Sequence, residues 1–154
     1  MAQQVIHRTA TTAADPAAVY ALLADGRTWP DWSPLGSFEL LDPGTPTDGA
    51  SEGVGAIRLF TTGRHESRER VVARDPGRAF AYVLEAGLAL RDYKAVVSLA
   101  PAAAAGGGGT TINWHSTFRA KVPGTGWIYR RQLGAFIGEC VQGLATAAAR
   151  SRTP

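Results

Sequence analysis

With 154 residues, 45% of them hydrophobic and 19% charged, the chain is long enough for one domain with a real core, expected to span residues 1–154. Its formal net charge of +3 comes from arginines scattered along the sequence rather than clustered, which argues against a nucleic-acid partner. The single Cys140 excludes an intramolecular disulfide and a multi-cysteine metal site, and no run reaches the ~18 apolar residues of a membrane span. MAQQVIHRT at the start lacks the apolar core of a secretion signal, so the expectation is a soluble, cytoplasmic protein without integral membrane insertion.

Gln4–Ala13 reads as the first strand, because Val5, Ile6 and a threonine-rich tail suit a pleated surface. DPAAVYALLAD at 15–25 reads as a helix. Asp15 stands at its N-cap and Pro16 in its first turn, while Val19, Leu22 and Leu23 share a face at i, i+3, i+4. RTWPDWSP at 27–34 follows as a short irregular or helical segment. Ser37–Leu41 is a candidate strand, and 42–55, rich in Gly, Pro, Thr and Asp, reads as a loop.

Five strand-like runs come next: Ala56–Thr62, Glu66–Arg74, Ala79–Glu85, Asp92–Leu99 and Thr110–Arg119. The short connections carry turn residues, among them DPGR at 75–78 and an Ala/Gly tract at 101–109, and imply antiparallel hairpins. Gly126–Arg150 reads as one long helix with an apolar stripe of Tyr129, Leu133, Phe136, Ile137, Cys140, Leu144 and Ala148, and Gln132 opposite. Gly134, Gly138 and Gly143 flank the stripe. Each interior glycine costs about 0.5–1 kcal/mol relative to alanine, so this helix must depend on packing.

The element order is α+β, and a single long helix with one apolar stripe must dock on the inner face of the sheet. If the sheet curves around it, a hollow remains between them. Period-two alternation assigns Phe80, Tyr82 and Leu84 to one face, and likewise Tyr93, Ala95, Val97 and Leu99. Ile112, Trp114, Ser116 and Phe118 line up against Asn113, His115 and Thr117. Glu69, Val71 and Ala73 oppose Arg68, Arg70, Val72 and Arg74; solvating the arginines turns Glu69 inward. In 56–62, Ile57 and Leu59 compete with Arg58 and Phe60 for the inside.

Four stretches carry a family resemblance: ADPAAVYALLADGRTWPDWSP at 14–34, GVGAIRL at 53–59, ERVVARDPGRAFAY at 69–82 and GGTTINWHSTF at 108–118. With the long terminal helix, the chain resembles the START and pollen-allergen superfamily in its bacterial polyketide cyclase/dehydrase and lipid-transport (SRPBCC) branch. The resemblance implies the helix-grip fold, a curved antiparallel sheet of six to seven strands wrapped around the C-terminal helix with a cavity inside. It also implies that the segment after the first helix closes one end of that cavity, where RTWPDWSP falls. Trp32, with Trp29, then forms wall or lid; alternatively both rings plug the core.

The candidate ligand-binding residues are Trp32, Arg58, Glu69, Tyr82, Tyr93, Trp114, Phe118 and Phe136. Glu69 in an apolar setting would have a raised pKa and act as acid or base; the alternative is an ion pair with a nearby arginine. Tyr82 and Tyr93 offer hydroxyls to a ligand carbonyl or are core residues with hydroxyls at the rim. Arg58 either meets a ligand acid group or is exposed.

His7, His65 and His115 have no metal-ligand spacing, so no metal site is expected. Cys140 on the apolar stripe reads as a buried thiol. No GxSxG or Walker motif is present, and GGGG at 106–109 precedes a strand, so no phosphate cradle or cofactor is expected. These features fit a protein that binds a small hydrophobic molecule, such as a lipid, isoprenoid or aromatic polyketide. The alternative is a polyketide aromatase/cyclase using the same cavity, and a third reading, an interaction module, has no exposed apolar helix face to support it.

Overall fold

The computed structural model describes residues 2–47, 49–102 and 108–151. Strand β1 (Gln4–Thr12) leads into α1 (Pro16–Ala24), a 3-10 turn (Gly26–Thr28) and the short α2 (Trp29–Trp32). Then come β2 (Ser37–Asp42), β3 (Thr45–Pro46), β4 (Gly53–Val54), β5 (Ile57–Thr62), β6 (His65–Asp75) and β7 (Ala79–Ala86). Strands β8 (Leu90–Pro101) and β9 (Thr110–Ala120) precede the long α3 (Gly126–Arg150). Seven strands form one antiparallel sheet in the order β1-β9-β8-β7-β6-β5-β2, with α3 packed on it and the short helices after β1, which is the helix-grip fold. The centre of the Ala/Gly tract, 103–107, lies outside the described residues; on its flanks the Ala102 N–H donates to the Gly109 carbonyl (3.1 Å) and holds β8 to β9.

The alternating faces hold for β8 and β9, where Tyr93, Ala95, Val97, Leu99, Ile112, Trp114, Ser116 and Phe118 are all buried. On β5 the competition resolves in favour of Arg58 and Phe60, both buried, with Ile57 and Leu59 half-buried. On β6 the alternation breaks at Val72. A bulge there pairs Val71 with Tyr82 and Ala73 with Ala81, so Ala73 is exposed and Arg74 turns inward instead. The Arg74 Nε donates to the Tyr20 hydroxyl (3.2 Å) and its Nη1 donates to the Glu52 carbonyl.

Helix α3 is buried unevenly. Ile137, Cys140, Val141, Leu144, Ala145 and Ala148 in its C-terminal half are packed away, whereas Tyr129, Leu133 and Phe136 in its N-terminal half are half-buried. The tight end is fastened by polar as well as apolar contact: the Thr12 hydroxyl donates to the Ala145 carbonyl (2.8 Å). Gly143 permits the closest approach, since a Cβ there would collide with the backbone carbonyl oxygen of Trp32.

Segment 42–55, expected to be a loop, contains the β3–β4 ribbon and delivers Glu52 into the core. Glu52 and Arg58 are 2% and 1% exposed, so their charges must be satisfied inside the protein. Arg58 Nε donates to Glu52 Oε1 (2.6 Å), and Arg58 Nη2 donates to the carbonyls of Leu23 and Ala24 (3.1 Å each) at the end of α1. Glu52 Oε2 accepts the Gly26 N–H (2.6 Å) at the start of the 3-10 turn. The guanidinium carbon also lies 5.3 Å from the Trp29 ring centroid and 4.9 Å from that of Phe80.

Removing one partner of such a pair leaves the other charge buried and unpaired. Glu52→Ala should therefore destabilise the fold by about 3–5 kcal/mol, measured by urea unfolding, while Glu52→Gln with Arg58→Met recovers part of that loss. A loss in Glu52→Ala within about 1 kcal/mol, the range of an exposed pair, would mean that water reaches the pair.

Candidate functional site

The uneven burial of α3 leaves a cleft of ≈ 330 Å³ between its N-terminal half and the sheet, within the size range of small-molecule sites. Tyr129, Leu133 and Phe136 of α3 form its roof, and Leu84, Tyr82 and Tyr93 of β7 and β8 its floor. Pro34 and Leu35 close one side, Gly87 and Leu88 another. Exposed His65, Glu66 and Gln132 mark the mouth, and Glu69 lies within. Among the described residues that line the cleft, none is a lysine or arginine. A depression of ≈ 440 Å³ between Thr11–Ala13 and the last turns of α3 is open surface rimmed by exposed Gln142, Thr146 and Arg150.

Glu69 pairs in register with Arg58 on β5 and Leu84 on β7, and its Oε1 is enclosed with no hydrogen-bond partner. Burial drives its pKa up to about 7, and the positive charge of Arg58 offsets only part of the rise. The expected alternative, an ion pair with an arginine, does not form at this position among the described residues. Arg58 is held by Glu52, and Arg70 on the outer face pairs with Glu85 (2.8 Å). Beside Glu69, the Tyr93 hydroxyl shares a hydrogen bond with the Ser116 hydroxyl (3.1 Å), and the rings of Tyr82 and Tyr93 stand 6.3 Å apart. Burial raises the pKa of both phenols, with the charge of Glu69 adding to it, so both stay protonated as donors. Burial also raises the Cys140 thiol, which makes it a poor nucleophile.

Of the eight residues singled out in the sequence, the cleft gathers Glu69, Tyr82, Tyr93 and Phe136. Trp32, Arg58, Trp114 and Phe118 do not line it; all four are buried behind it. The two tryptophans of RTWPDWSP plug the core rather than form a lid. Their rings lie 4.8 Å apart, Trp29 Nε1 donates to the Leu23 carbonyl (3.0 Å), and Trp32 Nε1 donates to the Thr28 hydroxyl (3.1 Å). Trp29 then meets Tyr82 edge-on at 5.8 Å, so the plug supports the cleft floor from behind. Trp114 is fully buried against both tryptophans and Phe118 stacks on Tyr93 (6.3 Å), while Arg58 serves Glu52.

The sequence reading missed Leu133 and Tyr129 as cleft residues, although both stood on the helix stripe. Their signal was position, since they precede the point at which α3 settles onto the sheet. Ser116 was missed as a partner of Tyr93, although the inward face assigned to it pointed there. Among the described residues, no three His, Cys, Asp or Glu side chains gather in a group that could hold a metal ion.

Residues 3–149 match the family described as polyketide cyclase/dehydrase and lipid transport, and the chain belongs to that family. No curated relative matches the chain. Among solved structures, a START superfamily protein from Mycobacterium smegmatis aligns over 96% of this chain and 98% of its own, with TM-score 0.76 and 13% identity. The aromatase/cyclase Zhui from Streptomyces sp. R1128 aligns over 98% and 96%, with TM-score 0.75 and 18% identity. Norcoclaurine synthase from Thalictrum flavum, solved with a transition-state analogue, aligns over 99% and 98%, with TM-score 0.74 and 16% identity. At these identities the likeness is one of fold. No helix among the described residues is long and apolar enough to cross a membrane.

The state of Glu69 predicts a pH dependence of stability. Its folded pKa, about 7, lies above the ordinary value of 4.5, so between these the native state binds more protons than the unfolded chain. The associated stability is full below pH 4.5 and is lost as pH rises through about 7, at no more than about 1.4 kcal/mol per pH unit. Glu69→Gln carries no such titration. The stability difference between wild type and Glu69→Gln, from urea unfolding between pH 4 and 8, should therefore move against wild type as pH rises. Parallel profiles would show that the carboxylate is hydrated.

Proposed function

We propose that this protein binds a small, mainly apolar molecule in the cleft beneath the N-terminal half of α3. The observation that carries this reading is the composition of the cleft. Tyr129, Leu133, Phe136, Leu84 and Leu88 supply apolar surface, and among the described lining residues the polar groups away from the mouth are few: Ser67, Glu69, Tyr82 and Tyr93. An apolar hollow with a few convergent polar groups is the usual form of a site that holds a ligand by shape and orients it by one or two hydrogen bonds. Membership of a family described by polyketide cyclase/dehydrase activity and lipid transport supports the same reading. An aromatic or isoprenoid body of one or two rings suits the ring-lined walls.

A second reading, catalysis on the bound molecule, is favoured by one observation. A carboxyl group with a pKa near 7 sits in the cleft beside two neutral phenols. Such a carboxyl can give or take a proton at neutral pH, while Tyr82 and Tyr93 stabilise a developing oxyanion. In this reading the chain resembles in use, as well as in fold, the aromatase/cyclase from Streptomyces.

Native mass spectrometry of the purified protein, followed by denaturing extraction, separates carrier from empty protein. The expected result is a stoichiometric apolar passenger, or uptake of one naphthalene-sized probe per chain that Leu133→Trp reduces at least tenfold with an unchanged melting temperature. Uptake unaffected by Leu133→Trp would place binding elsewhere. For catalysis, Glu69→Gln should lower kcat by roughly 10²–10⁴, and the wild-type rate should change with an apparent pKa near 7. A rate that Glu69→Gln leaves intact removes the second reading.

A further inference from the structure

The charge inventory of the cleft says more about its occupant than its size does. Among the described residues, three ionisable side chains other than tyrosine line it: Glu69 inside, and Glu66 and His65 at the mouth. The arginines nearest the interior are already engaged. Arg58 is held by Glu52 and by two carbonyls of α1, and Arg74 binds Tyr20 and the Glu52 carbonyl. A carboxylate or phosphate entering the cleft would thus meet one or two negative charges and no lysine or arginine among the described lining residues. Glu69 Oε1, in contrast, is an enclosed acceptor with no donor. Buried polar atoms are nearly always paired in the working state, so a partner arriving with the ligand is the simplest completion.

We propose that the ligand carries a protonated amine on an apolar, ring-bearing body, and that Glu69 is the residue that selects it. This rests on the reading that the cleft is the binding site. The ammonium would donate to Glu69 Oε1 and supply the charge that Arg58 withholds. The aromatic residues Tyr82, Tyr93, Tyr129 and Phe136 line the same space, and a cation over an aromatic face is favoured over a neutral group. The groups that face or influence Glu69 are Arg58 from β5, Tyr82 from β7, Tyr93 from β8 and Cys140 from α3. Of these only Arg58 carries charge at neutral pH; His65 at the mouth is ionisable too, so a His65→Gln variant is measured alongside to assign the pH response to Glu69.

The test compares three probes with one body: 2-(1-naphthyl)ethylamine, 2-(1-naphthyl)ethanol and 1-naphthylacetate. Binding is measured by calorimetry between pH 5.5 and 8 on wild type, Glu69→Gln, Glu66→Gln and His65→Gln, with circular dichroism as a check on folding. The expected order on wild type at pH 8 is amine, then alcohol, then acid, with the amine at least tenfold tighter than the alcohol. That preference should shrink toward pH 5.5, disappear in Glu69→Gln and survive, with the same pH response, in Glu66→Gln and His65→Gln. An alcohol that binds as well as the amine overturns the proposal and leaves the cleft as a site for neutral ligands. An amine preference that follows Glu66 rather than Glu69 overturns it as well. If none of the three binds folded wild-type protein, the cleft reading fails along with it.

Discussion

The buried pair of Glu52 and Arg58 fixes what the rest of the molecule can do. One guanidinium ties β5 to the end of α1, and one carboxylate ties the 42–55 segment to the 3-10 turn. These contacts answer a local need, because the last carbonyls of a helix lack intrahelical donors and the first N–H groups of a turn lack acceptors. They also set α2 in place, so that Trp29 lies against Arg58, Phe60 and Tyr82. The consequence for the cleft is electrostatic. Arg58 stands opposite Glu69 across the β5–β6 ladder and would be its natural partner, but its charge is committed to Glu52. One arginine between two glutamates leaves one of them unpaired, and the unpaired one faces the cleft.

Helix α3 supplies the second constraint. Its C-terminal half is pressed onto the sheet and onto α2, closely enough at Gly143 that only a residue without a side chain fits beside the Trp32 carbonyl. Its N-terminal half keeps close to β1, where Gly126 and Gly134 approach Gln4 and Arg8, and leaves a hollow over β7 and β8. That half carries Tyr129, Leu133 and Phe136, residues large enough to cover a hollow and half-buried because they cover one. The same apolar stripe thus makes core at one end and cleft roof at the other.

That division explains which features were legible in the sequence. The periodicity of α3, β8 and β9 followed from burial on one face, and those elements and their inward residues matched. The face of β5 was not legible, because Arg58 is inside for the sake of a glutamate six residues earlier in a segment that reads as loop. Nothing in the local pattern of 42–55 distinguishes Glu52 from a solvated acid; only the tertiary position of the α1 terminus does. The bulge at Val72 likewise defeated the alternation of β6, since one extra residue exchanges the roles of Ala73 and Arg74. RTWPDWSP announced two rings needing cover but not whether they cover a ligand or each other. The answer depended on Phe60, Phe80 and Trp114 arriving from distant strands.

Glu69 is costly to the fold wherever it is charged. A half-buried carboxylate with one oxygen enclosed and without a donor is destabilising at neutral pH, and glutamine or leucine would fit an apolar wall with less penalty. Arg74 shows that this sheet can turn an inward charged side chain to a useful partner, and Arg70 shows that it can pair one outside. The absence of such a solution at Glu69 sets it apart from the other inward-facing charges described here. Stability is sacrificed most often where a group is needed for binding or chemistry. The unpaired oxygen, the neutral phenols beside it and the lack of a lysine or arginine among the described lining residues are then aspects of one arrangement. The cleft is built to receive a donor from outside, and the fold has used its own elsewhere.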